Sequence, residues 1–323
     1  MKIHLPNSAW IGNIDPFLRS FDSSNTKRLE ITAHKKWISV HPVILSMVAA
    51  LGLKVGKSNI YCEKLEATSK HYLERMGLFK LLGLKSNIKV KEHESAGRFI
   101  PLTQIKDSQA LTKFITEMIP LLHLEPKQVE PIRYIISELA RNVLEHSQSD
   151  NGAILSAQYY KKSNTIRIGI VDTGVGIKET ISKSHHASTD LEAIKLALTP
   201  GITGTTHKEG GTEFNAGAGL FFIKSIAKVN RDFFMIYSGK AMYKLLKDDS
   251  SKKQIKLYAD SFKDKHSKNE NFPFWEGTVV GIDLSLEATE QFSVLLDLIR
   301  NTYVKTVRER KKEKYKKRGA RFI

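Results

Sequence analysis

At 323 residues the chain is about twice an ordinary domain, taking roughly 150 residues per domain, so two folded units are expected. Hydrophobic residues at 41% and charged residues at 26% exclude wholesale disorder and supply enough apolar material for a sizeable core. A formal net charge of +17 raises anionic partners, while the single cysteine, Cys62, excludes an internal disulfide or a thiolate zinc cluster and points to a reducing, cytoplasmic setting.

The opening residues, MKIHLPNSAWIGN, contain no apolar core of signal-peptide length. The most apolar stretch, Val43 to Leu53, is too short to span a bilayer, so a buried helix is expected there. Residues 1–108 alternate short strand and helix signals, as a small α/β unit does. Strands are expected at Leu29 to Thr32, Trp37 to Val40 and Asn59 to Cys62. His41-Pro42 opens a helix whose apolar face is Ile44, Met47, Val48 and Leu51 and which Gly52 is expected to close. A second helix is expected from Thr68 to Leu82, ended by Gly83. The polar residues Asp107 to Gln109 mark a seam. Beyond it a helix is expected over Pro126 to His146, strands over GAILSAQYY and TIRIGIVD, a polar, Gly-rich stretch over Lys178 to Ala216, and a helix over Gly217 to Val229. Strands return in FFMIYS, AMYKLL and TVVGIDLSL, and the charged insertion Lys247 to Glu276 reads as a surface excursion. Three segments follow: 1–108, 109–288, and 289–323 as an amphipathic helix with a basic tail.

Four short segments carry the chemistry. In SELARNVLEHS, Glu138 and Asn142 are four residues apart and share a helix face, with His146 one turn further. One Asn carbonyl with triphosphate oxygens is a reasonable set for Mg²⁺, leaving Glu138 to orient or deprotonate a nucleophile; a solvated helix face would carry the same residues. In IGIVDTGVGI, an apolar strand delivers Asp172 into a turn where Gly174 and Gly176 let the backbone approach a flat ligand. A carboxylate buried there needs a donor such as the amino group of adenine, although a DxGxG turn also serves as a plain tight connection. In NAGAGLFFIKSIAK, Gly217 and Gly219 precede a helix whose start can bind phosphate or simply pack closely. In GTVVGIDLSL, Thr278 heads a strand, where its hydroxyl can meet the adenine edge or Asp172, or it is only a good strand former.

In this order and spacing the four segments resemble the Bergerat-fold (GHKL) ATPases, the group of gyrase, heat-shock chaperones, histidine kinases and mismatch-repair proteins, over about half the chain. The resemblance implies an α/β (α+β) two-layer sandwich in which a mixed sheet backs several helices, with ATP and Mg²⁺ as cofactors. It implies Asp172 as adenine reader, Asn142 as metal ligand and Glu138 as catalytic base, with His146, Gly174, Gly176, Gly217, Gly219 and Thr278 completing the pocket. The stretch Lys178 to Ala216 is then a lid with Gly201, Gly204, Gly210 and Gly211 as flexing points. Glu145 departs from the pattern, since several kinases of the group carry Lys there; phosphate neutralisation then falls to Mg²⁺ and a lid lysine such as Lys208.

A sensor kinase would also need a phosphorylatable His on a helical hairpin. The nearest candidate, His93, is followed by Gly97 and Pro101, which do not continue a long helix. Glu138 and His146 in a compact domain look closer to bacterial serine-kinase anti-sigma factors, which phosphorylate STAS-domain partners, and PVILSMVAALG with HYLERMGLF resembles a STAS-like domain. Where the acceptor serine of such antagonists lies in an Asp-Ser-Ser-Gly turn, this chain has Ser39-Val40-His41-Pro42. The expectation is a cytoplasmic, homodimeric regulator that acts on a protein partner, either as a kinase or ATPase or as a nucleotide-gated interaction module; the third reading is an ATP-dependent nucleic-acid-associated protein that acts through its basic tail.

From Glu290 to Val307, Phe292, Leu295, Leu296, Ile299, Tyr303 and Val307 recur at three and four, an apolar stripe for docking on the ATP-binding unit or a second subunit. It leads into Lys305 to Arg321, with ten Lys or Arg against Glu309 and Glu313. A solvated tail, nucleic-acid phosphate and an anionic membrane surface are the three readings of that run. Only Tyr315 interrupts it, so stacking on single strands is disfavoured.

Overall fold

The computed structural model describes residues 1–36, 38–63, 70–86, 99–204, 219–248, 256–286 and 292–317. The amino-terminal part holds strands β1 (Lys2–Leu5), β2 (Ser8–Ala9), β3 (Leu29–Ala33), β4 (Ser39–Val40) and β5 (Ile60–Cys62). Its helices are α1 (Asp15–Ser20), α2 (Pro42–Val55), α3 (Lys70–Arg75) and α4 (Leu78–Leu82). β1, β3 and β5 form a parallel three-stranded sheet, and β2 pairs with β4. The expected helix over 68–82 is two helices, because Gly77 takes φ +75° between α3 and α4.

α2 runs three residues past Gly52 and ends at Gly56, whose φ is +80°. Gly52 is a packing position rather than a terminator: a Cβ there would lie 2.2 Å from Leu82 Cδ2. The helix is apolar on every side because it is covered on every side. One flank lies in the amino-terminal core with Ile3, Leu5 and Ile31, and the other meets Ile154, Val171 and Val279 of a second, larger sheet.

That sheet belongs to β6 (Phe99–Ile105), β7 (Ala153–Tyr160), β8 (Thr165–Val171), β9 (Phe234–Gly239), β10 (Ala241–Leu245), β11 (His266–Asn269) and β12 (Trp275–Ser285). The order is β11-β10-β9-β12-β8-β7-β6, and every pairing is antiparallel. The mixed sheet expected from sequence is therefore corrected. β8 and β9 do run parallel to each other, but β12 inserts between them and pairs antiparallel with both. β6 also crosses the expected boundary: although it precedes the 107–109 seam, it is the edge strand beside β7. The seam is a helix start, where Asp107 Oδ1 accepts from Ala110 N at 2.7 Å.

The face of this sheet away from α2 carries α5 (Ser108–Lys113), α6 (Pro126–His146), α7 (Gly176–Ser182), α8 (Asp190–Ala197), α9 (Gly219–Val229) and α10 (Phe292–Lys317). The chain is thus an α/β protein whose larger sheet is covered on both faces. The first half of the expected lid is the two helices α7 and α8, with Leu191, Ala193 and Ile194 buried; Lys208, Gly210 and Gly211 lie outside the described residues, as do Trp37 and His93. The expected surface excursion contributes β11 and the fully buried Asp264, which meets Lys224 of α9 at 2.8 Å. A lysine inside a core demands such a counter-ion. α10 places its apolar stripe on the α6 and α9 side, with Tyr303 edge-on to Phe222 and Phe292 edge-on to Tyr134. No described helix is long and apolar enough to cross a membrane.

The junction between α2 and the sheet is close. A Cβ at Gly169 in β8 would stand 2.2 Å from Val43 Cα and 2.4 Å from its nitrogen, so nothing larger than glycine fits under the helix. Gly169→Ala must push α2 off the sheet, and the expected loss is at or above the upper end of about 1–3 kcal/mol for overpacking. Denaturant unfolding checks it; a midpoint within error of the parent would refute the contact.

Candidate functional site

α6 is begun by Glu125, whose backbone N–H donates to Gln128 Oε1 at 3.1 Å while the two residues cap each other reciprocally. Its buried stripe, with Ile132, Ile136, Leu139 and Val143, faces the sheet. The adjoining edge presents Tyr134, Glu138, Asn142 and His146 to a cavity of about 330 Å³, which Leu139 and Val143 of the stripe also line.

β8 brings Asp172 to the bottom of that cavity, where it is 2% exposed. Its Oδ1 accepts from Gly174 N at 2.8 Å, and its backbone N–H donates to the Thr278 carbonyl at 2.9 Å. Burial pushes the carboxyl up to about 7, and the N–H groups of Gly174 and Thr278 only partly oppose it. It is thus the backbone of Thr278 that meets Asp172, while the residue also lines the cavity.

The glycines of the turn have separate duties. Gly174 lies against the end of α6: Val175 N donates to Ser147 O at 2.8 Å, and a Cβ on Gly174 would stand 1.9 Å from that oxygen. Gly176 lines the cavity with φ +79°, and a Cβ there would be 2.9 Å from Ser238 Oγ. Ser238 was not legible as a site residue; its hydroxyl donates to Gly277 O at 2.6 Å and accepts from Ile177 N at 3.0 Å, tying the turn to β9 and β12. Gly277 was also missed, although a glycine directly before Thr278 was the available signal. It takes φ +98°, and a Cβ there would press on Asp172 at 2.4 Å from its carbonyl oxygen. Trp275 Nε1 donates to that same carbonyl at 3.1 Å.

At the other end, α9 starts against α6. A Cβ on Gly219 would be 2.8 Å from Glu138 Oε2 and 3.7 Å from Asn142 Nδ2. Gly217 lies outside the described residues. Burial raises the Glu138 carboxyl, Arg141 at 3.2 Å opposes the shift, and Glu145 adds to it. Glu145 is half exposed at the rim, with its carboxylate 3.8 Å from His146 Nε2. Seven expected site residues thus line one cavity, namely Glu138, Asn142, His146, Asp172, Gly176, Gly219 and Thr278, while Gly174 supports it from behind.

Chemically this is a slot with apolar walls, including Ile170, Ile177, Ile181 and Val280, a single buried acid at its bottom, and a polar mouth. Such a shape suits a flat heterocycle that carries an N–H donor. Among the described residues no group of three His, Cys, Asp or Glu is placed to hold a metal ion by itself. No family model matches the chain, and no curated protein matches it in sequence.

Because its pKa is raised, the folded protein holds the Asp172 proton more tightly than the unfolded chain does. That contribution to stability is complete below about pH 4 and is lost as the pH rises to about 7. Asp172→Asn keeps an oxygen for the N–H donors and carries no charge. Its unfolding free energy should exceed the parent's above pH 7 by up to about 4 kcal/mol, with the gain fading toward pH 4. Chemical denaturation at pH 5 and pH 8 measures this; an equal difference at both would contradict a buried, titrating Asp172.

Proposed function

We propose that this chain binds ATP with Mg²⁺ in the cavity between α6, α7 and α9, and that it is a regulator of the Bergerat type acting on a protein partner. The observation that carries the reading is the convergence of four sequence-distant segments on one apolar slot that ends in a buried carboxylate. Asp172 accepts the exocyclic amino group of adenine. Walls from β8, β12 and α7 would hold the base, and Glu138, Asn142 and the start of α9 would face the phosphates.

The donor set fits this ligand. One carboxylate and one amide flank Gly219, too few for a protein-only metal cage, so a divalent ion held there would need its remaining oxygens from phosphate and water. Mg²⁺ would supply charge neutralisation on the phosphates. Glu138, whose proton affinity is raised by burial, is placed to act as a general base, and Arg141 orients its carboxylate.

The amino-terminal unit, which we propose to be STAS-like, serves as scaffold and not as phosphoacceptor. His41, at the position expected for an acceptor turn, is fully buried; its Nδ1 accepts from Val43 N at 3.1 Å and its Nε2 meets Asp283 at 3.1 Å. Ser46 is buried against Ser156. Neither of these two side chains is open to phosphoryl transfer, and we propose that the acceptor of any transferred group is another protein.

Calorimetric titration with Mg-ATP tests the reading. The parent binds; Asp172→Asn, which remains folded, does not, because its amide turns a donor toward the adenine amine. Since the ionised acid is the acceptor, the parent's Kd should rise about tenfold per pH unit below 7. Undiminished binding by Asp172→Asn removes the proposal. Glu138→Gln separates the two modes of action: a turnover loss of about 10²- to 10⁴-fold with affinity retained marks catalysis, and unchanged turnover marks a nucleotide-gated module.

A further inference from the structure

α10 is anchored on one side only. Leu295, Ile299 and Val307 are buried, and Phe292 and Tyr303 pack on Tyr134 and Phe222. Near the end of the docked stretch, Arg310 Nη1 donates to the carbonyl of Pro200, just beyond α8, at 2.7 Å. The helix is thereby held on the body of the protein over five turns, about 27 Å.

Its outer side is a separate surface. Lys305, Arg308 and Lys312 are exposed and follow at three and four, so they form one stripe opposite the docked face, flanked by the exposed Lys311. None of these four makes an ion pair with a described residue, whereas Arg300, earlier on the helix, meets Asp297 at 3.3 Å. Glu309 and Glu313 lie to one side of the stripe by their helical positions. The sequence from Lys314 to Arg321 adds five Lys or Arg and no acid.

Four cations along one helix that form no ion pair with a described residue repel one another, and a polyanion relieves that repulsion. A lipid surface requires a broad apolar helix face to enter the headgroup region, whereas the main apolar stripe of α10 packs on α6 and α9 and, among its described residues, Val294 and Leu298 are the large apolar side chains left exposed. A protein interface is built on a buried aromatic or aliphatic anchor. The exposed apolar residues of this helix, Val294 and Leu298, stand two turns or more before the cationic stripe. Nucleic-acid phosphates need only placed cations and the release of counterions. The exposed positions from Lys305 to Glu313 offer no aromatic side chain for base stacking, which favours duplex backbone over single strands.

We propose that the outer stripe of α10, through Lys305, Arg308 and Lys312, docks on the sugar-phosphate backbone of duplex nucleic acid without reading its sequence. This holds independently of what fills the cavity.

The test uses the full chain and a fluorescein-labelled 20-base-pair DNA duplex of arbitrary sequence, with anisotropy recorded from 50 to 200 mM KCl. The parent should bind, with log K falling linearly against log salt. The combined variant Lys305→Ala, Arg308→Ala, Lys312→Ala should lose at least about tenfold in affinity at 100 mM salt, and its slope should shrink by roughly 2 to 3, near 0.9 per lost phosphate contact. A variant that removes equal charge elsewhere, Lys27→Ala, Lys35→Ala, Lys36→Ala, should change both quantities far less. All six side chains are exposed, so both proteins should melt like the parent. No binding at 50 mM salt, or equal losses in the two variants, overturns the proposal. So does a stripe variant that keeps duplex binding while losing attachment to phosphatidylserine-containing vesicles.

Discussion

The arrangement of the site follows from putting one carboxylate where water scarcely reaches. Asp172 has two backbone N–H groups and no cationic side chain to offset its charge, and that is why its proton affinity rises so far. Holding it there requires backbone on three sides. Gly277 leaves room because it has no Cβ, Gly174 donates to the carboxylate while pressing on Ser147, and the Trp275 indole fixes the carbonyl of Asp172 itself. The antiparallel insertion of β12 between β8 and β9 makes this possible, since it sets Gly277 and Thr278 beside Asp172 on one side and Ser238 on the other. A carboxylate of this kind lowers stability while it presents a strong, directional acceptor to the cavity.

The amino-terminal unit grips the same two strands from behind. Arg167 of β8 lies between the rings of Trp10 and Tyr160, at 4.2 and 4.3 Å, and reaches Asp283 of β12 at 3.5 Å. His41 closes this cluster from the start of α2, and desolvation lowers its pKa against the pull of Asp283. Phe21 packs on Trp275, whose indole holds the Asp172 carbonyl. One continuous set of contacts therefore runs from α2 and its neighbours, through β8 and β12, to the bottom of the cavity. The amino-terminal part is structural support for the site, which explains why α2 is apolar all round and why Gly169 and Gly52 are both positions of close approach.

What could be read from the sequence, and what could not, divides along the range of the interactions. α6 begins and ends where its pattern puts it, at Pro126 and His146, because the apolar period and the four-residue spacing of Glu138 and Asn142 are local features. The gathering of Glu138, Asn142, His146, Asp172, Gly176, Gly219 and Thr278 in one cavity was legible as four motifs in order. Long-range facts were not legible. Gly52 looks like a helix terminator until Leu82 is seen to need its space, and β6 reads as part of the first unit until it pairs with β7. The charged stretch after β10 looks solvated, yet Asp264 goes into the core to meet Lys224. Ser238 lies next to the end of β9, after Phe234, Met235, Ile236 and Tyr237, and no local signal distinguishes it from an ordinary buried serine.

That Lys224–Asp264 pair bears on how the mouth of the cavity is built. A fully buried ion pair contributes little net stability compared with apolar packing, but it tolerates only one arrangement, because moving either partner leaves a charge unpaired. Lys228, one turn on, meets Asp248 at 3.3 Å and Asp264 at 3.8 Å, so α9 is pinned twice on its sheet side, while Phe222 joins it to Tyr134 of α6 and Tyr303 of α10. The first described residue of that helix is Gly219, against Glu138 and Asn142. The spacing of the two helices at the polar mouth is thus set by contacts far from it, and Gly219 keeps its close approach to Glu138 and Asn142 through packing outside the cavity.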